Sequence, residues 1–422
     1  MHADSLYAST CRYSLDFAAL AGDIHADVTI IGGGMTGVSA ALELAEQGYR
    51  VVLLEAEQLA WGASGRSGGQ IIAGAGENGA SLLKLLGQAD ARKAFQLSLE
   101  GIELIRQRVE RYQIPCDLQS GQLEVAAHAS HVDHLRRSVE LQQQTFDYPV
   151  QLLDAGQTAA KTGSLVYHAA AWDPNGGHLH PMNYTLGLAQ AAVAAGAQVY
   201  EHSQVRKIHY GPKTLVKTDQ GSVSSDFLVV AGNAYLDKLV PDIERYMMPV
   251  GSYICATVPL PDSLQPTVIP SNAAVFDTRN LFSYYRKDGD GRLLWGGRVG
   301  LTNKPPKNLP GIMQKRIAAT FPQLGNIGFE KSWSGNVAVT RYRTPHFGKL
   351  ASNVFFAHGY SGHGVVMAGM GGACIARAIQ GQAEQFRLLE RFPVMPLPSR
   401  GILHSAALAA AMIWFRLRDA VG

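Results

Sequence analysis

Residues 27–55 read DVTIIGGGMTGVSAALELAEQGYRVVLLE, and this stretch decides the fold. The run 27–31 is short, apolar and β-branched, which predicts a buried strand. In the turn GGGMTG that follows, Gly32, Gly34 and Gly37 fill a G-x-G-x-x-G pattern. Val38, Ala41, Leu42 and Ala45 then recur at helical spacing, with Gly48 as the stop. RVVLLE is a second buried strand, ending on Glu55. Each part has a mechanical reason. Gly32 permits the tight turn, Gly34 lets backbone approach a pyrophosphate, and Gly37 lets helix pack on strand. The helix start offers unpaired N–H groups and a partial positive charge to phosphate. A carboxylate at Glu55 accepts ribose hydroxyls and repels a 2′-phosphate, which disfavours NADP. Glycines between two strands, with an acid about 20 residues on, define a dinucleotide site. They do not separate NAD from FAD.

The next segment, WGASGRSGGQIIAGAG (61–76), has six glycines in sixteen positions, in a chain where each glycine inside a regular element costs about 0.5–1 kcal/mol. Following directly on Glu55, it is placed to wrap the ligand from the other side. Its backbone N–H groups from 63 to 69 are expected to form an anion-binding nest. Arg66 adds a positive charge near phosphate, or near a ring that becomes anionic on reduction.

GGGMTG, Glu55 and WGASGRSGGQ together resemble the D-amino-acid-oxidase-like group of FAD-dependent oxidoreductases, and within it the gamma-glutamylputrescine oxidase subfamily. The resemblance implies FAD as cofactor. It implies contacts from Gly32, Gly34, Met35, Thr36 and Gly37 in the first turn, and from Glu55, Ala56 and Trp61 beyond the second strand. Gly62, Ser64, Arg66, Ser67, Gly68 and Gly69 are implied to lie along the cofactor, with Gln70 approaching the isoalloxazine ring. The similarity extends along the chain. The segment GGHLHPMNYTLGLAQAAVAAGAQVYEHSQVRKI (176–208) implies a helix and strand after which the backbone of Val205 meets the adenine. In DFLVVAGNAY (226–235), Ala231 and Gly232 are implied near the pyrophosphate. NVFFAHGYSGHGVVMAGMGGACIARAIQG (353–381) is again strand, turn and helix, with Gly359, Tyr360, Ser361, Gly362, His363 and Gly364 in the turn. That helix start is expected to face the flavin pyrimidine edge and stabilise its negative charge. His363 has two readings, a flavin neighbour or a histidine packed at a helix start. Some relatives attach FAD through a cysteine before this turn. VTRYRTPHFGKLASN (339–353) has none, so FAD is expected to be noncovalent.

The fold class expected is α/β (α+β overall), a Rossmann-like FAD-binding domain with a discontinuous antiparallel-sheet substrate domain. Residues 1–80, 150–245 and 331–400 are assigned to the first, 81–149 and 246–330 to the second, and 401–422 to a C-terminal helix. Residues 78–113 read as a long helical stretch and GQLEVAA (121–127) as a strand. The segments 249–260 and 281–300 alternate as strands of a sheet that roofs the substrate pocket. Tyr253, Tyr284, Arg286 and Gln70 are the pocket candidates. Strand alternation puts Tyr284 and Arg286 on one face and Tyr285 on the other. Arg286 is read as the partner of a substrate carboxylate or as a surface charge. The aromatic residues, Trp333 among them, read equally as sheet core.

The function expected is oxidation of a primary or secondary amine (amino acid, polyamine or gamma-glutamyl amine) to an imine. Hydride passes to flavin N5, water hydrolyses the imine, and oxygen is the acceptor. A pocket that favours the uncharged amine by desolvation needs no dedicated base, so no catalytic acid or base is assigned. The alternatives are a dehydrogenase passing electrons to a quinone or carrier protein, and a dinucleotide-binding protein without turnover. A net charge of +3 gives no reason to expect nucleic acid. Four scattered cysteines without CxxC spacing argue against structural zinc and disulfides, and fit a reducing compartment. No signal peptide or spanning segment is read, and a cytoplasmic location is expected. Residues 406–415 are wholly apolar and are followed by Arg416 and Arg418. They read as a docked terminal helix, or as an interfacial one with Trp414 at headgroup level, peripheral to the inner face of a membrane.

Overall fold

The computed structural model describes residues 1–76, 79–300 and 306–397, and at 298–300 the backbone alone. The reading of residues 27–55 holds. The first strand is Gly22–Ile31, the helix Met35–Glu46 and the second strand Val51–Leu54. Four apolar or β-branched residues end the first strand, and all of them are buried. Parallel strands that carry such runs must be covered on both faces.

Five strands form the parallel body of an eight-stranded sheet, in the order Val354–His358, Gly221–Val230, Gly22–Ile31, Val51–Leu54, Gln198–Tyr200. His346–Ala351 adds an antiparallel edge, and Lys207–His209 with Thr214–Lys217 form a hairpin on Gly221–Val230. The chain leaves the central Gly22–Ile31 strand to pair on one side with Val51–Leu54 and later on the other with Gly221–Val230. That reversal opens a crevice beyond the carboxyl ends of the strands.

Nine strands form the second sheet, in the order Phe329–Thr340, Met247–Pro259, Arg292–Gly300, Ser283–Lys287, Ala274–Asp277, Gln119–Val125, Ala170–His178, Gln70–Ile71, with Gln151–Leu153 also on Ala170–His178. Neighbours are antiparallel except Ala274–Asp277 with Gln119–Val125, which are parallel. Sheet membership departs from the expected blocks in three places, the first being Gln70–Ile71, which pairs with Ala170–His178 although 1–80 is assigned to the dinucleotide-binding part. Gln151–Leu153 and Ala170–His178 lie in this sheet, although 150–245 is assigned to the dinucleotide-binding part. Phe329–Thr340, where the block 331–400 begins, pairs along its length with Met247–Pro259. A local strand pattern does not reveal which sheet the strand will join.

Two contacts hold the crevice rigid. A Cβ on Gly37 would overlap the Gly32 carbonyl, and one on Gly372 would overlap the Thr36 carbonyl. The absence of a side chain at Gly37 seats the helix start on its own turn and the first strand, and its absence at Gly372 lets Met35–Glu46 lie directly against the helix Gly364–Ile379, where Ser39 Oγ donates to the Gly369 carbonyl at 2.5 Å. The helical stretch Gly79–Arg111, interrupted at Gly87 (φ 74), packs on the same pair. Its buried Arg108 donates to Ser39 Oγ at 2.9 Å and Glu43 Oε1 at 2.8 Å. A second core lies on the outer face of the nine-stranded sheet. There Leu123, Val125, Val275, Tyr285 and Trp295 pack with Met313, Ile317 and Phe321 from the region of the helix Leu309–Thr320. All four cysteines are free. Among the described residues no helix is long and apolar enough to cross a membrane, and no His/Cys/Asp/Glu cluster would hold a metal. The helix expected at 401–422 lies outside the described residues.

Candidate active site

Four segments meet at the crevice. In the first turn, Gly32 and Gly34 keep some surface while Gly33 and residues 35–38 are buried. The Gly34 N–H has no partner among the described residues, and a Cβ there would meet only Ser64, with Oγ at 3.0 Å. Ser64 Oγ accepts from the Met35 N–H at 2.9 Å, and Ala60 N–H donates to the Gly33 carbonyl at 2.9 Å. The segment 62–70 is therefore fastened along the first turn. The turn at 231–235 closes from the other side, its Ala231 N–H donating to the Ile31 carbonyl at 2.8 Å. Asn233 Oδ1 accepts from Gly359 N–H at 2.9 Å, and Tyr360 shares a 2.6 Å hydrogen bond with Thr36. The last turn is thereby tied to both earlier ones.

Glu55 sits where the second strand ends. Its two oxygens accept from the N–H groups of Gly33 (2.6 Å) and Glu57 (3.0 Å), and burial raises its pKa against those bonds. Ala56 follows it. The loop 201–205 lies alongside, with Ser203 N–H donating to the Glu55 carbonyl at 2.8 Å. Val205 is buried at the far end of this loop, and neither its N–H nor its C=O makes a hydrogen bond among the described residues. A buried main-chain donor and acceptor left open side by side suit the edge of a purine.

The nest expected over 63–69 is a correction in part. Residues Ala63–Gly65 form a 3₁₀ turn, and the N–H groups of Gly65, Arg66 and Ser67 are consumed by carbonyls at 62 and 63. What remains for a ligand is the glycine surface at Gly62 and Gly68 and the Arg66 side chain, while Gly69 is buried against the Leu179 carbonyl. The Arg66 guanidinium lies 4.3 Å from the centre of the Trp61 ring. It donates to the Trp61 carbonyl at 2.7 Å, and more weakly to that of Ser334 at 3.4 Å. No carboxylate pairs with it among the described residues, and burial lowers its pKa. Trp333 is buried and donates from Nε1 to the Arg66 carbonyl at 2.9 Å.

The roof candidates divide. Tyr284 faces the glycine segment, with its ring against Gly68 and its hydroxyl 3.1 Å from Ser252 Oγ. Burial raises its pKa to about 12, so it stays a neutral phenol. Arg286 shares that face as alternation predicts, but four of its five N–H groups are already engaged. It donates to the carbonyls of Gly68 (2.8 Å), Leu179 (3.1 Å) and Lys287 (3.1 Å) and to Tyr7 Oη (3.1 Å). It is 3% exposed and buttresses the glycine segment, which corrects its reading as a carboxylate partner or surface charge. Tyr253 is also a correction. It is 1% exposed in the outer core with Tyr285 and Trp295, because it alternates with Ile254, which faces inward. Gln70 donates to the Val275 carbonyl at 3.1 Å. His363 occupies the N-cap of Gly364–Ile379 without a side-chain cap bond, and its Nδ1 is sealed without a partner. Burial, then Arg343, lowers its pKa to about 4, so it is neutral. Gly362 leaves open space beside it, and Ser361 Oγ accepts from the Thr340 N–H at 3.2 Å. Asn233 and Ser252 had no motif to announce them, since each acts across a long-range contact.

An open helix start at Gly34, a guanidinium without a carboxylate partner among the described residues, and the open main chain of buried Val205 at the end of the loop beside Glu55 suit an elongated dinucleotide. The FAD dependent oxidoreductase family profile matches residues 27–378, and the chain belongs to that family. It is therefore an FAD-dependent oxidoreductase. Gamma-glutamylputrescine oxidoreductase of Escherichia coli (strain K12) is 37% identical over 422 residues, covering 100% of this chain and 99% of that protein. Probable oxidoreductase OrdL of Haemophilus influenzae is 37% identical over 424 residues, covering 99% and 97%. Among solved structures, glycine oxidase from Geobacillus kaustophilus superposes with a TM-score of 0.76 at 24% identity, covering 89% of this chain and 100% of that one.

Proposed function

We propose that the protein oxidises a primary or secondary amine to an imine that water then hydrolyses, with oxygen as the electron acceptor. The similarity to gamma-glutamylputrescine oxidoreductase along the whole of both chains carries the reading toward terminal or gamma-glutamylated amines. When bound, FAD supplies the hydride acceptor at N5.

The residues divide the work. Glu55 and the Val205 main chain hold the adenosine. The turn from Gly32 through Met35 and Thr36 to Gly37, with Ala231 and Gly232 opposite, receives the pyrophosphate. Gly62, Ser64, Ser67, Gly68 and Gly69 would contact FAD, Gln70 would approach the isoalloxazine ring, and Arg66 would offer the positive charge. Gly359 to Gly364 present a helix start to the ring edge where charge gathers on reduction. Tyr284 and its sheet face would shield the reacting substrate from water. FAD is held without a covalent bond. The one cysteine near the last turn, Cys374, is fully buried inside Gly364–Ile379, and burial raises its thiol to about 12.

The test is anaerobic mixing of the purified flavoprotein with polyamines, their gamma-glutamyl derivatives, D-amino acids and N-methyl amino acids. Bleaching of the flavin by an amine, with peroxide formed once air is admitted, is the expected result. Bleaching with dye turnover but no peroxide would make it a dehydrogenase. No bleaching across the panel would remove the amine reading.

A further inference from the structure

Three residues lie in one row across the interior of the nine-stranded sheet. Phe276 is the register partner of Glu124 on one side and of Tyr284 on the other. Register partners project from the same face. Their sequence neighbours Leu123, Val125, Val275 and Tyr285 fill the outer core, so the row faces inward, toward Gly68. Each of the three keeps some accessible surface, whereas the residues immediately before and after it are buried. None of their strands is at the sheet edge. Surface on the covered face of an interior strand belongs to a cavity.

Glu124 is the anomaly in that cavity. Its carboxyl makes no hydrogen bond and no ion pair among the described residues. Burial alone raises its pKa, to about 7, with no charged neighbour contributing. An isolated carboxylate held away from water is expensive unless a cation meets it. Two strand spacings, roughly 10 Å, separate it from Tyr284, and the Phe276 ring forms the wall between them.

We infer that Glu124 is a substrate-binding carboxylate, which receives a cationic nitrogen of the amine through the cavity beneath the Glu124–Phe276–Tyr284 row. This rests on the amine reading above. The substrate class it selects is an ammonium on an apolar chain that lies along Phe276.

The experiment uses the FAD-loaded protein, with n-butylamine as the cationic probe and n-butanol as its neutral counterpart. Binding is read from perturbation of the flavin spectrum. E124Q is expected to weaken n-butylammonium by about 10- to 100-fold, the loss of a hydrogen bond to a charged group, with FAD content and n-butanol binding unchanged. E124D, which keeps the charge, is expected to recover part of the ammonium affinity. Equal n-butylammonium affinity in wild type and E124Q would overturn the inference. So would parallel loss of both probes in E124Q, or wild-type protein that binds no n-butylammonium. If wild type binds n-butylammonium but no amine bleaches it, the oxidation reading fails and the anchoring carboxylate stands. If amines bleach wild type and E124Q at equal affinity, only the anchor fails.

Discussion

Replacing Gly34 by alanine asks whether a ligand, rather than the protein, requires that glycine. The backbone at Gly34 has φ −86°, which any residue adopts, and the added methyl would meet only the hydroxyl end of Ser64 at 3.0 Å. Gly34 is the N-cap of Met35–Glu46, where alanine is less favourable than glycine. The apoprotein should therefore lose about 1 kcal/mol at most. With a pyrophosphate seated against the same surface, the methyl overfills a packed contact, which typically costs about 1–3 kcal/mol. That predicts FAD binding weaker by roughly 5- to 150-fold. The assay is titration of apoprotein with FAD, followed by flavin fluorescence quenching, beside a thermal melt of the apoprotein. Gly48→Ala is the control with the opposite pattern. Its φ of 82° makes alanine strained, but it lies at the other end of the helix. It should lower the melting temperature and leave FAD affinity alone. Wild-type FAD affinity in G34A would refute the placement of the pyrophosphate at the first turn.

Three further outcomes are expected. The Glu124 carboxyl titrates at about 7 in the folded chain against an ordinary 4.5, so the native state binds more protons between those values. Stability present at acid pH is lost as pH rises through 7. The loss approaches about 3 kcal/mol and is absent in E124Q, so denaturation of both apoproteins at pH 5 and pH 8 should show a wild-type-specific decline. Replacing Arg286 by methionine removes the donor of four hydrogen bonds, two of them buried, and should cost about 3–5 kcal/mol. It should shift the flavin spectrum without selectively weakening carboxylate-bearing substrates, and a selective loss would restore the carboxylate-partner reading. Acid precipitation of the flavoprotein should leave all the FAD in the supernatant, whereas flavin retained in the pellet would show a covalent bond.

The dinucleotide side was legible because its signals are local. A strand, a glycine turn and a helix follow one another within residues 27–55 and again within 353–381, and the physics of a helix start needs no distant partner. The substrate side was less legible because its meaning depends on which face a strand turns inward. Tyr253 looked like a pocket aromatic until its alternation with inward-facing Ile254 put it in the outer core. Arg286 lay on the expected face, but its acceptors are carbonyls brought from residues 68 and 179, which no spacing encodes. Glu124 in GQLEVAA reads as the solvated position of an alternating strand. Only covering of that sheet face turns it into a carboxyl in a cavity. The signal was present in the alternation of an acid between Leu123 and Val125, without the information that this sheet face is covered.

Electron density for FAD in crystals of the holoprotein tests the arrangement most directly. The adenosine should rest between Glu55 and Val205, the pyrophosphate against Gly34, and the isoalloxazine beside Gln70 on the inner side of the sheet that carries Tyr284 and Glu124. A flavin ring found on the outer side of that sheet, or a pyrophosphate remote from Gly34, would contradict the account.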